Sequence, residues 1–287
     1  MQAPTVTASF RPCPSCSWSD VRIVDELNGW ARAKCTRCDL IYTRDLPSTE
    51  ELQQIYDHAY KPGGMYEILQ NQLKEMVRTG RCEQGFYRNR IFLKRYKPCP
   101  GDKLLDIGCG IGTFLVAAKQ MGWDPEGIDI SAEALAMSAH IHKLPVRHGT
   151  LENLDFTPGI YKAVVCWEVL QNVPFPQNFL KRVRNLLRPD GLFVCSVSNN
   201  SKRVPRFVPN SGQAGLPPVN LNFWTPESFR AFASLNGFRP LYLAPKRSLL
   251  DLSGARNHRL RFLWNQLCAI AGIREGMTMH AVLTPTD

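Results

Sequence analysis

Short apolar runs and longer amphipathic stretches alternate along the second two-thirds of the chain. The runs Lys103–Ile107, Glu126–Ile130, Val146–Gly149, Tyr161–Cys166, Leu192–Ser198 and Phe238–Ala244 have strand length. Tyr161–Cys166 is apolar at nearly every position, as a strand buried on both faces must be. Between the runs, Thr113–Met121, Ala134–Ala139, Phe179–Leu187 and a segment ending at Gly237 carry helical periodicity, and Ser131 stands where an N-cap belongs. A last run, Met279–Thr284, adds a seventh, antiparallel strand. The alternation predicts an α/β fold with a doubly wound, seven-stranded, mostly parallel sheet. The turn Arg188-Pro-Asp-Gly191 has Pro189 to fix φ and Gly191 at the position expected to need a permissive backbone.

The first hundred residues read differently. Two short strands, around Val21–Val24 and Gly29–Lys34, lie between Cys-x2-Cys pairs. Pro47 ends the strand region, and Ser48 with Glu51 forms a capping box that opens a helix toward Tyr56. Gly63-Gly64 marks a hinge, and Met65–Tyr96 has helical spacing up to Pro98 and Pro100. The expected division is a ribbon over 1–45, a helical cap over 46–100 and the α/β core over 101–287. Within the core, Asn199–Pro218 is a long polar loop of the kind that binds or covers a ligand, and Arg256–Gly272 reads as a basic amphipathic helix.

Composition narrows this little. The chain of 287 residues is 44% hydrophobic and 21% charged, ordinary for a folded domain with a small module. It has no apolar run of membrane-spanning length, and Met1–Phe10 lacks a secretory pattern. Ten cysteines without an export signal point to a reducing compartment, so a cytoplasmic location and metal or free thiols are expected rather than disulfides. Lys and Arg number 35 against 25 Asp and Glu, a net charge of +10. The excess is scattered and no segment interleaves basic residues with stacking aromatics, which favours plain solubility or an anionic small-molecule partner over nucleic acid.

The chemistry concentrates at Asp106-Ile-Gly-Cys-Gly-Ile-Gly112. Gly108, Gly110 and Gly112 let the backbone turn and let a ligand approach the main chain. The missing Gly-Lys-Ser/Thr ending disfavours a phosphate loop. Asp106, at the strand tip ahead of the glycines, repels a pyrophosphate and holds an ammonium group. Asp129, at the end of the second strand, is set to accept hydrogen bonds from two ribose hydroxyls. From Lys103 to the C-terminus the sequence thus resembles the class I, Rossmann-like S-adenosylmethionine-dependent methyltransferases. The resemblance implies that Cys109 lies in the cofactor turn, Ile130 against adenine, and Thr150 and the Leu151 N–H at the adenine edge. Cys166 and Trp167 close the cofactor site at the end of the fourth strand. Thr150 departs from the aspartate usual in relatives, although a hydroxyl also accepts a hydrogen bond.

Cys13-x2-Cys16 and Cys35-x2-Cys38, eighteen residues apart, have the spacing of a four-cysteine zinc site. Four thiolates close the coordination shell, so the zinc is expected to be structural. The whole N-terminal stretch is similar to the zinc module of bacterial methyltransferases acting on sugars, capsular saccharides and secondary metabolites. That resemblance implies an acceptor pocket lined by Tyr56 and Tyr60, and O-methylation of a saccharide, polyketide or other metabolite. Relatives carry histidines where this chain has Asn172 and Asn220, and asparagine is no base near neutral pH. The candidate catalytic residues are therefore Glu168, Asn172, Asn220, Tyr60 and His58, with Lys202, Arg203 and Arg206 on a loop expected to overhang the cleft. Two alternatives remain at this level: an RNA methyltransferase with a zinc-ribbon RNA-binding module, and a catalytically degenerate partner subunit. A monomer or homodimer is expected.

Overall fold

The computed structural model describes residues 11–60, 74–75, 78–79, 92, 95–141, 143–201, 216–245 and 278–286. The side chains of 56–60, 140–141 and 245 also lie outside the description. The expected helices over Met65–Tyr96 and Arg256–Gly272 therefore fall almost wholly outside it, and so do Lys202, Arg203 and Arg206.

The ribbon comprises β1 (Val21–Leu27), β2 (Trp30–Cys35) and β3 (Ile41–Thr43), all antiparallel. Helix α1 (Thr49–Tyr60) follows. Its capping box closes as expected: Ser48 N–H donates to the Glu51 carboxylate at 2.7 Å, and Glu51 N–H donates to Ser48 Oγ at 3.1 Å.

The core continues with β4 (Lys103–Ile107), α2 (Thr113–Gln120), β5 (Asp124–Asp129), α3 (Ala132–Ile141), β6 (Val146–His148) and β7 (Tyr161–Trp167). After it come α4 (Pro176–Leu186), β8 (Leu187–Ser198), β9 (Asn222–Phe223), α5 (Pro226–Leu235), β10 (Phe238–Pro245) and β11 (Thr278–Pro285). The large sheet runs β10-β11-β8-β7-β4-β5-β6, with five parallel strands and β11 antiparallel to both neighbours. The strand order reverses at β4, and ligands of such sheets bind at that point, outside the carboxyl ends of the strands. The expected α/β class, seven strands and antiparallel last strand are all present.

Two features differ from expectation. Residues 188–191 form an outward bulge within β8, between the pairs Tyr161–Leu187 and Ala163–Leu192. Gly191 does not take a positive φ there. It is needed for space: a Cβ would lie 2.9 Å from the Arg188 carbonyl oxygen and 3.0 Å from Leu187 Cδ2.

Secondly, the ribbon sheet does not end with its own strands. β3 pairs with β9, contributed by Asn222–Phe223 of the core, so the small sheet is β1-β2-β3-β9. Packing is equally continuous, because Cys13, Ala33, Cys35, Leu40 and Tyr42 share one buried cluster with Trp224, Phe229 and Phe232. A second cluster, under α2, holds Leu104, Phe114, Trp123, Ala163 and Val165. Among the described residues, no helix is long and apolar enough to cross a membrane.

Candidate active site and metal cage

Gly108, Gly110 and Gly112 all adopt positive φ, at 74°, 55° and 81°. The turn they form is held from the neighbouring strand: Gly108 and Cys109 N–H both donate to the Ile128 carbonyl, at 2.8 and 3.0 Å. Gly108 also needs space, since a Cβ there would lie 2.3 Å from Val169 Cγ2. Gly127 was not singled out in the sequence, yet a Cβ on it would come within 2.8 Å of Cys109 Sγ and 2.7 Å of Leu115 Cδ1. It lets β5 pack directly under the turn.

Asp106 is 1% exposed, and neither carboxylate oxygen has a hydrogen-bond partner among the described residues. Burial, aided by the negative charge of Asp129, raises its pKa well above the ordinary carboxylate range. An unpartnered buried carboxylate is costly to fold around and is the mark of a site completed by a ligand. What it lacks is a cation or a hydrogen-bond donor, and the ammonium of an amino acid is both. The residues present therefore fit the amino acid end of S-adenosylmethionine.

A pH dependence follows. With its folded pKa raised, Asp106 binds its proton more tightly in the folded chain than in the unfolded one. The ligand-free protein should thus lose stability as pH rises from the ordinary carboxylate pKa through the raised one. Asp106→Asn should remove the Asp106 share of that loss and weaken binding of S-adenosylmethionine by about 1.5–3 kcal/mol, the range for a hydrogen bond to a charged group. Thermal melts across pH, with a calorimetric titration, test both. An asparagine variant that binds as tightly as the parent would contradict the assignment.

Asp129 is differently placed. It is 7% exposed, and its carboxylate accepts from Gly110 N–H at 2.7 Å and from Ser131 N–H at 2.8 Å. Burial still raises its pKa, against these bonds and the nearby His148. Two main-chain donors fix the carboxylate between the glycine turn and the start of α3, where Ser131 Oγ caps Ala134 N–H at 3.2 Å. A carboxylate has about four acceptor positions, so two remain for ribose hydroxyls. The next residue, Ile130, accepts at its carbonyl from Gln53 Nε2 of α1, at 2.7 Å, and its oxygen lies 2.9 Å from His148 Nε2. Gln53 was missed in the sequence, since nothing local to it reports on a carbonyl seventy-seven residues away.

At the turn expected to meet adenine, Thr150 N–H donates to Asn153 Oδ1 at 2.7 Å, and Leu151 is buried. Asn153, another residue the sequence reading missed, thus shapes this turn. On the other side, Cys166 is fully buried, and the Trp167 ring packs edge-on against Phe114 with centroids 5.1 Å apart. The Trp167 indole N–H is buried without a partner among the described residues.

Glu168 follows with φ +59°, a conformation non-glycine residues rarely adopt. Its N–H is held by the Ser196 carbonyl at 3.0 Å and Ser196 Oγ at 3.1 Å. Gln171 Nε2 donates to its carboxylate at 3.1 Å, and Asn172 Nδ2 donates to its carbonyl at 3.3 Å. Those bonds orient both amides, and Gln171 Oε1 and Asn172 Oδ1 are left buried without partners among the described residues. Asn220 is 3% exposed and donates from Nδ2 to Ser198 Oγ at 3.2 Å. Leu221 N–H donates to the Gln171 carbonyl at 2.8 Å, which brings the Asn220 segment beside the one that starts at Glu168. Tyr56, His58 and Tyr60 lie in the last turns of α1, and their side chains fall outside the described residues.

The four cysteine sulfurs gather at the other end of the ribbon, all within 4.8 Å of one another. Cys13 Sγ is 3.5 Å from Cys38 Sγ, and Cys16 Sγ is 3.6 Å from Cys35 Sγ. Sulfurs bound about 2.3 Å from a tetrahedral zinc would stand about 3.8 Å apart, so the cage fits the ion. Its two knuckles repeat one geometry. Cys13 and Cys35 N–H donate to the carbonyls of Trp18 and Leu40, and Ser17 and Asp39 N–H donate back to Cys13 and Cys35. Ser17 and Asp39 take φ of 58° and 61°. The contact between Cys13 and Cys38 lowers the Cys38 thiol, and the same contact with burial raises Cys13.

Comparison with known proteins agrees with this geometry. Residues 82–243 match a family described as a methyltransferase domain. The ubiquinone biosynthesis O-methyltransferase of Pectobacterium carotovorum is 33% identical over 110 residues, which cover 36% of this chain and 46% of that protein. The chain spans about half the length of the curated relatives it matches. The fold is shared with phosphoethanolamine N-methyltransferase 2 of Haemonchus contortus, solved with S-adenosyl-L-methionine. Here the TM-score is 0.59 and the identity 17%, over 86% of this chain and 63% of that one. An S-adenosylmethionine-dependent methyltransferase from Mesorhizobium loti gives a TM-score of 0.52 at 16% identity, over 68% and 96% of the two chains. The family match covers more than half of the chain and includes the glycine turn, both aspartates and the strand end at Trp167: the chain belongs to the methyltransferase-domain family and has the fold of S-adenosylmethionine-dependent methyltransferases.

Proposed function

We propose that this methyltransferase acts on a small-molecule acceptor and methylates a hydroxyl group of it. The observation that carries the reading is the polar cluster around Glu168, at the carboxyl ends of β7 and β8. There a carboxylate and two unpartnered amide oxygens, of Gln171 and Asn172, stand next to the cofactor strand end. Such a set suits an acceptor that brings hydrogen-bond donors. The O-methyltransferase relatives, named for ubiquinone biosynthesis, support a small molecule of this kind. The expected anionic acceptor rested on Lys202, Arg203 and Arg206, which lie outside the described residues.

In this reading S-adenosylmethionine, when bound, supplies a methyl group on a sulfonium centre. Asp106 holds its ammonium group, Asp129 its ribose hydroxyls, and Thr150 with the Leu151 N–H its adenine edge. Gly108, Cys109, Gly110 and Gly112 bring the main chain close to it, with Ile130 along the adenine and Cys166 and Trp167 at the far wall. The Glu168 carboxylate takes up the acceptor's hydroxyl proton. Asn172 and Asn220 orient the acceptor and do not carry protons. The enzyme's contribution is alignment, proton removal and a site shielded from water. The four cysteines hold one structural zinc ion.

The test is to incubate the full chain with isotope-labelled S-adenosylmethionine and a cell extract split into small-molecule and macromolecular fractions. Label in a small-molecule hydroxyl is the expected result. Label confined to RNA or protein would overturn the reading.

A further inference from the structure

Arg11 stands two residues before the first cysteine of the cage and is only 3% exposed. Among the described residues no carboxylate pairs with it; the guanidinium donates to main-chain and amide oxygens instead. Nε reaches the Thr43 carbonyl at 3.1 Å, and one terminal nitrogen reaches the Pro174 carbonyl. The other reaches the Leu221 carbonyl at 2.8 Å and Asn222 Oδ1 at 3.5 Å. Its plane lies over the Tyr42 ring, 5.2 Å from the centroid. Burial lowers its pKa to about 10, so it remains charged at neutral pH.

These acceptors belong to three separate pieces of the enzyme. Thr43 ends the ribbon strand β3. Pro174 closes the segment that begins at Glu168. Leu221 and Asn222 follow Asn220. The pieces are also bonded to one another: Thr43 Oγ1 donates to the Asn220 carbonyl at 3.1 Å, and Asn222 Nδ2 to the Val173 carbonyl at 2.8 Å. None of the bonds touches the glycine turn, Asp106 or Asp129.

We infer that Arg11 is a positioning residue through which the metal-filled cysteine cage sets the geometry of the acceptor segments 168–174 and 220–222. The inference rests on the reading of those segments as the acceptor site. The ion fixes Cys13, Cys13 fixes the chain at Arg11, and the planar guanidinium then spans three carbonyls at set spacing. A lysine, with one nitrogen, cannot span them. The cage thus acts on acceptor turnover and leaves cofactor binding alone.

The test compares the full chain with Arg11→Met, each with its metal and after zinc chelation. Amide hydrogen exchange is followed in peptides covering 168–174 and 219–223, and binding of S-adenosylmethionine by calorimetry. Arg11→Met should speed exchange in both peptides by about tenfold or more, with cofactor Kd changed by less than about twofold. Chelation of the parent should reproduce that increase. Chelation of the variant should add little, because two perturbations of one linkage are not additive. Additive effects, unchanged exchange, or loss of cofactor affinity in step with faster exchange would overturn the coupling. Arg11→Lys, predicted to behave as Arg11→Met does, serves if the methionine variant fails to fold, and the chelation arm needs no substitution. With the acceptor found by the labelling screen, kcat/KM should fall about tenfold at unchanged cofactor Kd. Faster exchange with full turnover would leave the coupling standing and sink the assignment of these segments to the acceptor.

Discussion

Asp129→Ala is expected to raise the Kd for S-adenosylmethionine by two to four orders of magnitude. The side chain should accept two ribose hydrogen bonds, each worth roughly 1.5–3 kcal/mol when the acceptor is charged, and about 1.4 kcal/mol is a factor of ten. The substitution also removes the acceptor of the Gly110 and Ser131 N–H groups, so the glycine turn loses one of its ties to β5. Asp129→Asn loses less: its one side-chain oxygen still accepts from one of the two N–H groups, without the charge, while its NH2 faces the other. It should fall between the parent and the alanine variant in a calorimetric titration. Equal affinities for all three proteins would remove Asp129 from the cofactor site.

Cys35→Ser should produce the largest loss of stability. Metal analysis of the parent should return one zinc per chain, and of the variant none. A structural zinc site contributes its binding energy to folding. In this chain that energy is not confined to the ribbon, because β3 pairs with β9 and Cys35 packs in one cluster with Trp224. The midpoint of thermal unfolding should therefore drop by roughly 10 °C, equivalent to about 3 kcal/mol or more for a chain of this size. Below that midpoint cofactor should still bind, because the cluster under α2 and the glycine turn lie away from the cage. A parent free of metal, or a variant as stable as the parent, would refute the zinc assignment.

The cofactor end of the site was legible because its signals are local. Asp106, the three glycines and Asp129 each announce themselves within a few residues of strand and turn. The same is true of the Cys-x2-Cys pairs, the Ser48–Glu51 box and the Ser131 cap. Their chemistry depends on spacing along the chain, and spacing is what a sequence records.

The acceptor end was not legible in that way. Glu168 and Asn172 were candidates by motif, yet the positive φ of Glu168 is imposed by Ser196, from another strand. Gly191 looked like a turn glycine and proved to be a packing glycine, since the difference lies in Leu187 and Arg188 folding over it. Arg11 precedes the cysteine motif and carries no signal of its own. Its partners at Pro174 and Leu221 are 163 and 210 residues away. Which carbonyls a buried guanidinium meets, and which carboxylate is left without a partner, are settled by contacts between distant segments. By itself the sequence determined the sheet, the two acids beside the glycine turn and the four-cysteine cluster, because each follows from local spacing. Only the tertiary structure decided that the stretch before the first cysteine, the ribbon and the segments 168–174 and 220–222 are bonded to one another, because chain closure alone brings residues 11, 43, 174 and 221 together.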